Sequence, residues 1–159
     1  MDVFTRQEPD TNVPEVGRYF RRNVWGWRPL ADALAELTET WANVEHPHTN
    51  DGSGLDADDA RALADEIDAA LASGAVDLYV IERNVRLAAM PRETCKFCEG
   101  TGSRRDSIGR QYGLDKPGGC NGCEGLGTVA QWETNYSLDT SDLVEFSAFV
   151  RASRGFSIY

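Results

Sequence analysis

Apolar residues recur at helical spacing from Leu30 through Leu34, Leu37, Trp41 and Val44, with Asp32, Glu36 and Glu39 between them. That pattern predicts an amphipathic helix over about 30–45. A second stripe of Ala60, Leu63, Ala64, Ile67 and Leu71 predicts a helix over about 57–72. Asp56 is its cap, Asp58 and Asp59 favour its first turn, and Gly74 ends it. A third helix is expected from a cap at Asp139 or Thr140 to about Ser153, with Leu143, Phe146, Phe149 and Val150 inward and Gly155 as terminator.

The intervals are less regular. Ala75 to Leu87 is rich in Val76, Leu78, Val80, Val85 and Leu87 and reads as one or two strands. Thr128 to Tyr136 alternates and reads as a strand. Pro14 opens a short helix through Asn23, with Val16, Tyr19 and Phe20 on one side. Val24 to Arg28 is an aromatic junction, and Pro29 suits the first turn of the next helix. Trp25, Trp27 and Trp41 are expected in the core, because large aromatics dominate the burial energetics of a small domain. Residues 1–13 lack periodicity and read as a flexible arm, whereas Phe156 to Tyr159 is apolar enough to dock back on the core. The expected organisation is a single domain over 1–159. It comprises a mainly helical core over 14–90 with strands near 75–87, a cysteine-bearing subdomain over 91–130, and a strand and helix over 131–159 returning to the core.

All four cysteines sit in two copies of one motif. The first is Cys95-Lys96-Phe97-Cys98-Glu99-Gly100-Thr101-Gly102, and the second is Cys120-Asn121-Gly122-Cys123-Glu124-Gly125-Leu126-Gly127. Each C-x-x-C turn aims two thiolates at one point, so the pair supplies the four soft ligands of a tetrahedral metal. The glycines suit a knuckle that needs positive φ and backbone N–H groups directed at sulfur. The 21 residues of 99–119 slightly exceed the usual spacing for paired C-x-x-C zinc sites, so the excess is expected to loop out.

The repeated C-x-x-C-x-G-x-G resembles the cysteine-rich zinc region of the DnaJ co-chaperones. That family carries four such repeats forming two zinc sites on β-hairpins, whereas this chain has two, enough for one site. The resemblance implies a metal role for Cys95, Cys98, Cys120 and Cys123, and backbone-permissive roles for Gly100, Gly102, Gly125 and Gly127. It covers Cys95 to Gly127 alone. The J-domain hallmark His-Pro-Asp is missing: the nearest match, His46-Pro47-His48, lacks the Asp and follows an acidic helix where the family's is basic. The family's role on unfolded clients is exerted beside domains not evident here and does not carry over. Gly17 to Leu30 and His48 to Gly52 are similar to bacterial and phage-borne proteins that end in the same two-knuckle arrangement. The fold class expected is α+β, a small helical core with a few short strands and a projecting DnaJ-like zinc-binding β-hairpin subdomain.

Charge narrows the function classes. The net charge is −10, and residues 31–82 hold thirteen Asp or Glu against a single Arg61. Residues 83–116 hold eight Lys or Arg against four acids. Overall acidity opposes general phosphate-backbone binding, which rests on many cationic contacts. A mean hydropathy of −0.45 and the absence of a long apolar run argue against a membrane protein. The opening MDVFTRQEPD lacks the plan of a signal peptide, so the expected compartment is the cytosol, where thiols stay reduced. No P-loop, dinucleotide fingerprint or nucleophile elbow is present. Four cysteines close a metal's coordination shell, which suits a structural Zn²⁺ more than a catalytic one.

The favoured reading is a zinc-stabilised protein-interaction module or adaptor, chaperone-like by its resemblance, with one Zn²⁺ and a protein partner. Its contacts are expected on the knuckle, on the acidic helical face, or on the basic inter-knuckle loop 103–119 at Arg104, Arg105, Arg110, Tyr112 and Lys116. A second class is a nucleic-acid-associated accessory protein using the same basic loop. A third, enzymatic, class rests on His46, His48 and Asp51 in the loop from His46 to Gly54.

Overall fold

The computed structural model describes residues 1–7 and 12–159. It is a small α+β fold whose chain divides into two compact units, Met1–Asn84 with Tyr136–Tyr159, and Val85–Asn135.

The first unit is built on a four-stranded antiparallel sheet. Its strands are β1 (Asp2–Thr5), β2 (Tyr19–Arg21), β3 (Gly54–Leu55) and the last strand of the chain, β6 (Phe156–Ile158), in the order β2-β1-β6-β3. The strand at Asp2–Thr5 corrects the expected flexible arm. Val3 is fully buried, and β1 pairs Val3 with both Phe20 and Ile158. A four-residue strand is too short to show a period, and its partners lie far away in sequence. The rest of the expected arm includes residues 8–11, which lie outside the described residues. Gly54 admits β3 to the sheet: a Cβ there would stand 2.0 Å from the Phe156 carbonyl oxygen.

Five helices lie among the described residues: α1 (Val24–Leu37), α2 (Ala57–Ser73), α3 (Ala75–Ala88), α4 (Ser107–Gln111) and α5 (Thr140–Ser153). α2 and α5 form where their stripes and caps predict. Asp56 accepts from the N–H groups of Asp58 and Asp59, both at 3.0 Å, while Asp139 and Asp142 form a reciprocal capping box. α2 ends at Gly74 with φ +79°. α5 ends at Ser153 as expected, but the left-handed cap is Arg154, at φ 54°, one residue before the expected Gly155.

Four expectations are corrected. Pro14–Asn23 is a single 3₁₀ turn, Glu15–Gly17, followed by β2; Gly17 packs so closely that a Cβ would meet the Ala152 backbone at 2.4 Å. The helix expected over 30–45 begins at Val24, where the Asn23 side chain caps the Gly26 N–H at 3.0 Å, and breaks after Leu37. A separate 3₁₀ turn, Thr40–Asn43, follows because Glu66 of α2 accepts from the Glu39 and Thr40 N–H groups and the Thr40 hydroxyl. The strands expected near 75–87 are the helix α3, since Val76, Tyr79 and Val80 turn to the core at helical spacing; β-propensity yields to that tertiary packing. The strand expected over 128–136 is β5 (Thr128–Val129) and then a 3₁₀ turn, Trp132–Asn135.

The core of the first unit is aromatic. Phe146 on α5 is fully buried, with ring centroids 5.1 Å from Phe20, 6.1 Å from Trp27, 5.9 Å from Trp41 and 6.0 Å from Phe156. Trp27 also satisfies its indole N–H on the Pro47 carbonyl at 2.7 Å. Trp25 departs from the expected trio: it is 43% exposed, packed on Tyr136 at 4.9 Å. Around this core, α2 and α5 are joined by polar ties. Ser147 donates to Asp68 at 2.6 Å, and Arg151 bridges Asp65 at 2.8 Å and Asp68 at 2.7 Å.

The second unit carries β4 (Glu93–Thr94), paired antiparallel with β5, together with α4 and all four cysteines. Among the described residues no helix is long and apolar enough to cross a membrane.

Two outcomes test the first unit. Phe146→Ala is expected to lose about 3–5 kcal/mol in urea unfolding of the metal-loaded chain. The hydrogen bond from Ser147, and then Arg151, hold the Asp68 carboxyl below its ordinary value. A depressed carboxyl adds stability that is complete above the unfolded value of about 3.9 and is lost as pH falls through the folded one. The thermal midpoint should therefore drop on acidification below about pH 4, and Asp68→Asn should flatten that limb.

Candidate metal centre

The two copies of the motif fold alike. Glu99 and Glu124 both take φ near +50°, at 50° and 53°. Gly100 and Gly125, at φ 88° and 79°, follow them, and Gly102 and Gly127, at 71° and 76°, complete each knuckle. The chain must leave each C-x-x-C through left-handed backbone, which glycine enters without the steric cost of a side chain. The two glutamates escaped the sequence reading. Their signal was present, an identical Cys-Glu-Gly in both halves.

The halves also grip each other reciprocally. The Cys95 N–H donates to the Gly127 carbonyl at 2.9 Å, and the Cys120 N–H donates to the Gly102 carbonyl at 3.0 Å. Space between the turns is as tight as those bonds imply. A Cβ on Gly102 would stand 2.4 Å from the Gly125 oxygen, and one on Gly127 would stand 2.4 Å from the Gly100 oxygen. The second pair of glycines is thus required twice over, by backbone conformation and by contact with the opposite half.

This frame converges four sulfurs. Cys95, Cys98, Cys120 and Cys123 are all buried, with ligand atoms within 4.8 Å of one another. Two sulfur pairs at matching positions, 25 residues apart, lie close: Cys95 to Cys120 at 3.9 Å and Cys98 to Cys123 at 3.6 Å. A tetrahedron with metal–sulfur bonds of about 2.3 Å has edges of about 3.8 Å. The spacing therefore fits a single tetrahedral ion, and the donor set fits a soft or borderline one.

Local hydrogen bonding divides the thiols. At Cys95 burial pushes the thiol up, but the Phe97 and Cys98 N–H groups and the neighbouring thiols outweigh it and bring the value down to about 7. At Cys123 burial dominates and the neighbouring thiols add to it, so the value rises to about 11 despite the Gly127 N–H, 3.2 Å from its sulfur. Four thiols this close cannot all ionise without a cation among them.

The loop expected to carry partner contacts is split in two by the structure. Arg104 is buried: its Nε donates to both carboxylate oxygens of Asp106 at 3.0 Å, and its Nη1 donates to Asn121 at 3.1 Å. Its guanidinium also lies 4.6 Å over the Phe97 ring. Arg104 therefore ties the first C-x-x-C turn to the second and is not a free surface cation. Asp106 in turn caps α4 through the Gly109 N–H at 2.7 Å. Arg105, Arg110, Tyr112 and Lys116 are exposed. The structure adds two apolar residues that sequence reasoning missed, Phe97 at 53% and Leu126 at 67% exposure. A cleft of about 410 Å³ beside the first knuckle is lined by Lys96, Phe97, Glu99, Arg105 and Asp106 among others.

His46, His48 and Asp51 are not among the residues grouped to hold a metal. His48 Nε2 lies 3.7 Å from Asp32, and Asp51 accepts from the Ser53 N–H at 3.0 Å. Among the described residues, the four cysteines are the group placed to hold a metal ion. Comparison with family models, with curated proteins and with solved structures found no match to this chain.

Metal binding requires thiolates, so acid should compete with it. Metal retention, followed by release to a colorimetric chelator, is expected to fall progressively as pH is lowered, because protons compete for all four thiolates. Gly102→Ala and Gly127→Ala remove no ligand, yet each should weaken metal affinity by at least about 10-fold, in the range seen for lost supporting groups. Unchanged competition titrations for both variants would contradict the close packing of the halves.

Proposed function

We propose that this chain is a protein-interaction module or adaptor, stabilised by one structural Zn²⁺ on Cys95, Cys98, Cys120 and Cys123. The observation that carries the reading is the closed shell of four buried sulfurs. Four thiolates leave a zinc ion no position for substrate or water, so the metal's work is to hold backbone in place. A structural ion is favoured because the unit has so little else to fold it. Apart from the cysteines, Val129 is the apolar residue packed on its core. Structural zinc contributes about 10–16 kcal/mol in comparably small knuckles.

What the metal fixes is a surface. Phe97, Tyr112 and Leu126 are large and exposed, with Arg105, Arg110 and Lys116 also at the surface of the same unit. Exposed aromatic and apolar side chains carried on a rigid frame, with arginine among them, are the composition of a protein contact. The burial of Arg104 withdraws one cation from the loop, which weakens the nucleic-acid alternative at this site.

The test is affinity capture with the zinc-loaded full chain, compared with Leu126→Ala, Tyr112→Ala and Arg105→Ala. Each variant should retain one equivalent of zinc by elemental analysis while the enriched partner falls by at least about 10-fold, as for an interface hot spot. Cys120→Ser should lose both metal and partner. Identical capture by wild type and all four variants would overturn the proposal, as would a red, iron-loaded protein from zinc-replete cells.

A further inference from the structure

The solvent face of the four-stranded sheet carries a row of aromatic rings that the core does not use. Phe4 on β1 is 43% exposed and Tyr19 on β2 is 44% exposed, with ring centroids 5.0 Å apart. Tyr159, just after β6, is 51% exposed and extends the row at 6.2 Å from Phe4. These side chains alternate with the buried Val3, Phe20 and Ile158, which fixes them on the outer face.

Cations flank the row. Arg21, two residues along β2 from Tyr19, has a side chain 70% exposed and lines a cleft of about 560 Å³ with Trp25. Arg6 is held to the same face by its bond to the Ser157 hydroxyl at 2.8 Å. Asp2 offsets part of this charge, lying 3.6 Å from Arg21 and accepting from the Tyr19 hydroxyl. Nevertheless, Gly17–Arg28 contains four arginines and no acidic residue. The thirteen acids of residues 31–82 lie off β1, β2 and β6, although Asp32 and Glu36 share α1 with Trp25 and Asp51 adjoins Gly52, where a Cβ would stand 3.2 Å from the Tyr159 hydroxyl. Arg22 is paired with Asp142 and Glu145, so the face relies on Arg6 and Arg21.

We propose that this face binds single-stranded nucleic acid, with unstacked bases on Tyr159, Phe4, Tyr19 and Trp25 and phosphates met by Arg6 and Arg21. A row of open ring faces beside arginine is the arrangement that tracks a single strand, because every base offers a π-face and a duplex hides it. A second copy of the same face is the poorer occupant, since it would set arginine against arginine. The inference does not rest on the zinc reading. It concerns the unit without cysteines, so each can fail while the other stands.

The experiment is fluorescence polarisation of labelled oligo-dT and oligo-rU with the metal-loaded full chain across a salt series, with duplex DNA as the comparison. Single strands should bind at low salt and weaken as salt rises. Tyr19→Leu and Phe4→Leu should each cost about 10-fold in affinity, Tyr19→Phe should stay near wild type, and Arg21→Ala should reduce the salt slope. Arg21→Glu, a surface change checked by circular dichroism, should abolish binding without disturbing the fold. Four results would overturn the proposal: no binding at low salt, binding indifferent to Tyr19→Leu, preference for duplex, or binding lost instead on Arg110→Ala and Lys116→Ala. Sedimentation showing a dimer dissolved by Tyr19→Leu, with no oligonucleotide bound, would assign the face to a second copy.

Discussion

The pairing of β1 with β6 is the interaction on which the first unit depends. Val3 meets Ile158 and Phe4 meets Ser157, so two strands that are distant in sequence lie side by side at the sheet's centre. β2 hangs on one and β3 on the other. The inward residues Val3, Phe20, Leu55, Phe156 and Ile158 then give the helices a common floor. Closing so long a loop costs only slowly more entropy as it lengthens. The aromatic cluster around Phe146 recovers that cost through burial, and for this reason the insertion of a whole second unit between α3 and α5 is tolerated.

The second unit solves the opposite problem. It has few apolar side chains to bury, and its order comes from reciprocal backbone bonds and from converging sulfur. Arg104 shows how the two devices combine. The residue lies between the knuckles and spends its charge internally, on Asp106, Asn121 and the Phe97 ring. A buried guanidinium needs such partners to be tolerable at all.

Legibility in the sequence followed how local the cause was. The cysteine cluster was plain, because four cysteines in two octapeptides of one C-x-x-C-x-G-x-G pattern have few other uses. α2 and α5 were equally plain, since Asp56 and Asp139 cap them within three residues and their stripes span several turns. β1 was hidden because its evidence is Phe20 and Ile158, not its own short run. α3 reads as strand in the sequence because Val76, Val80 and Val85 carry strand propensity, whereas the residues that pack on the core, Val76, Tyr79 and Val80, recur at helical spacing and Val85 is exposed. The break after Leu37 depends on Glu66, nearly thirty residues on, so no window around Leu37 could show it. Arg104 reads as a surface charge in the sequence for the same reason: its partners Phe97 and Asn121 lie on either side of a loop whose path the sequence does not state.

The discontinuity of the first unit sets an order of events during synthesis. Val85–Asn135 is contiguous, and its last thiol, Cys123, emerges from the ribosome well before Phe156–Ile158. Until β6 appears, β1 and β3 lack the strand that joins them, and the inward faces of Val3 and Leu55 have no neighbour to complete the floor. The two knuckles can therefore be complete, with all four thiols placed to take a metal ion, while the N-terminal segment is still waiting for its centre. Growing domains usually fold from the N-terminus forward. Here the middle of the chain can be finished first, and β1, made before it, is among the last elements to find its place.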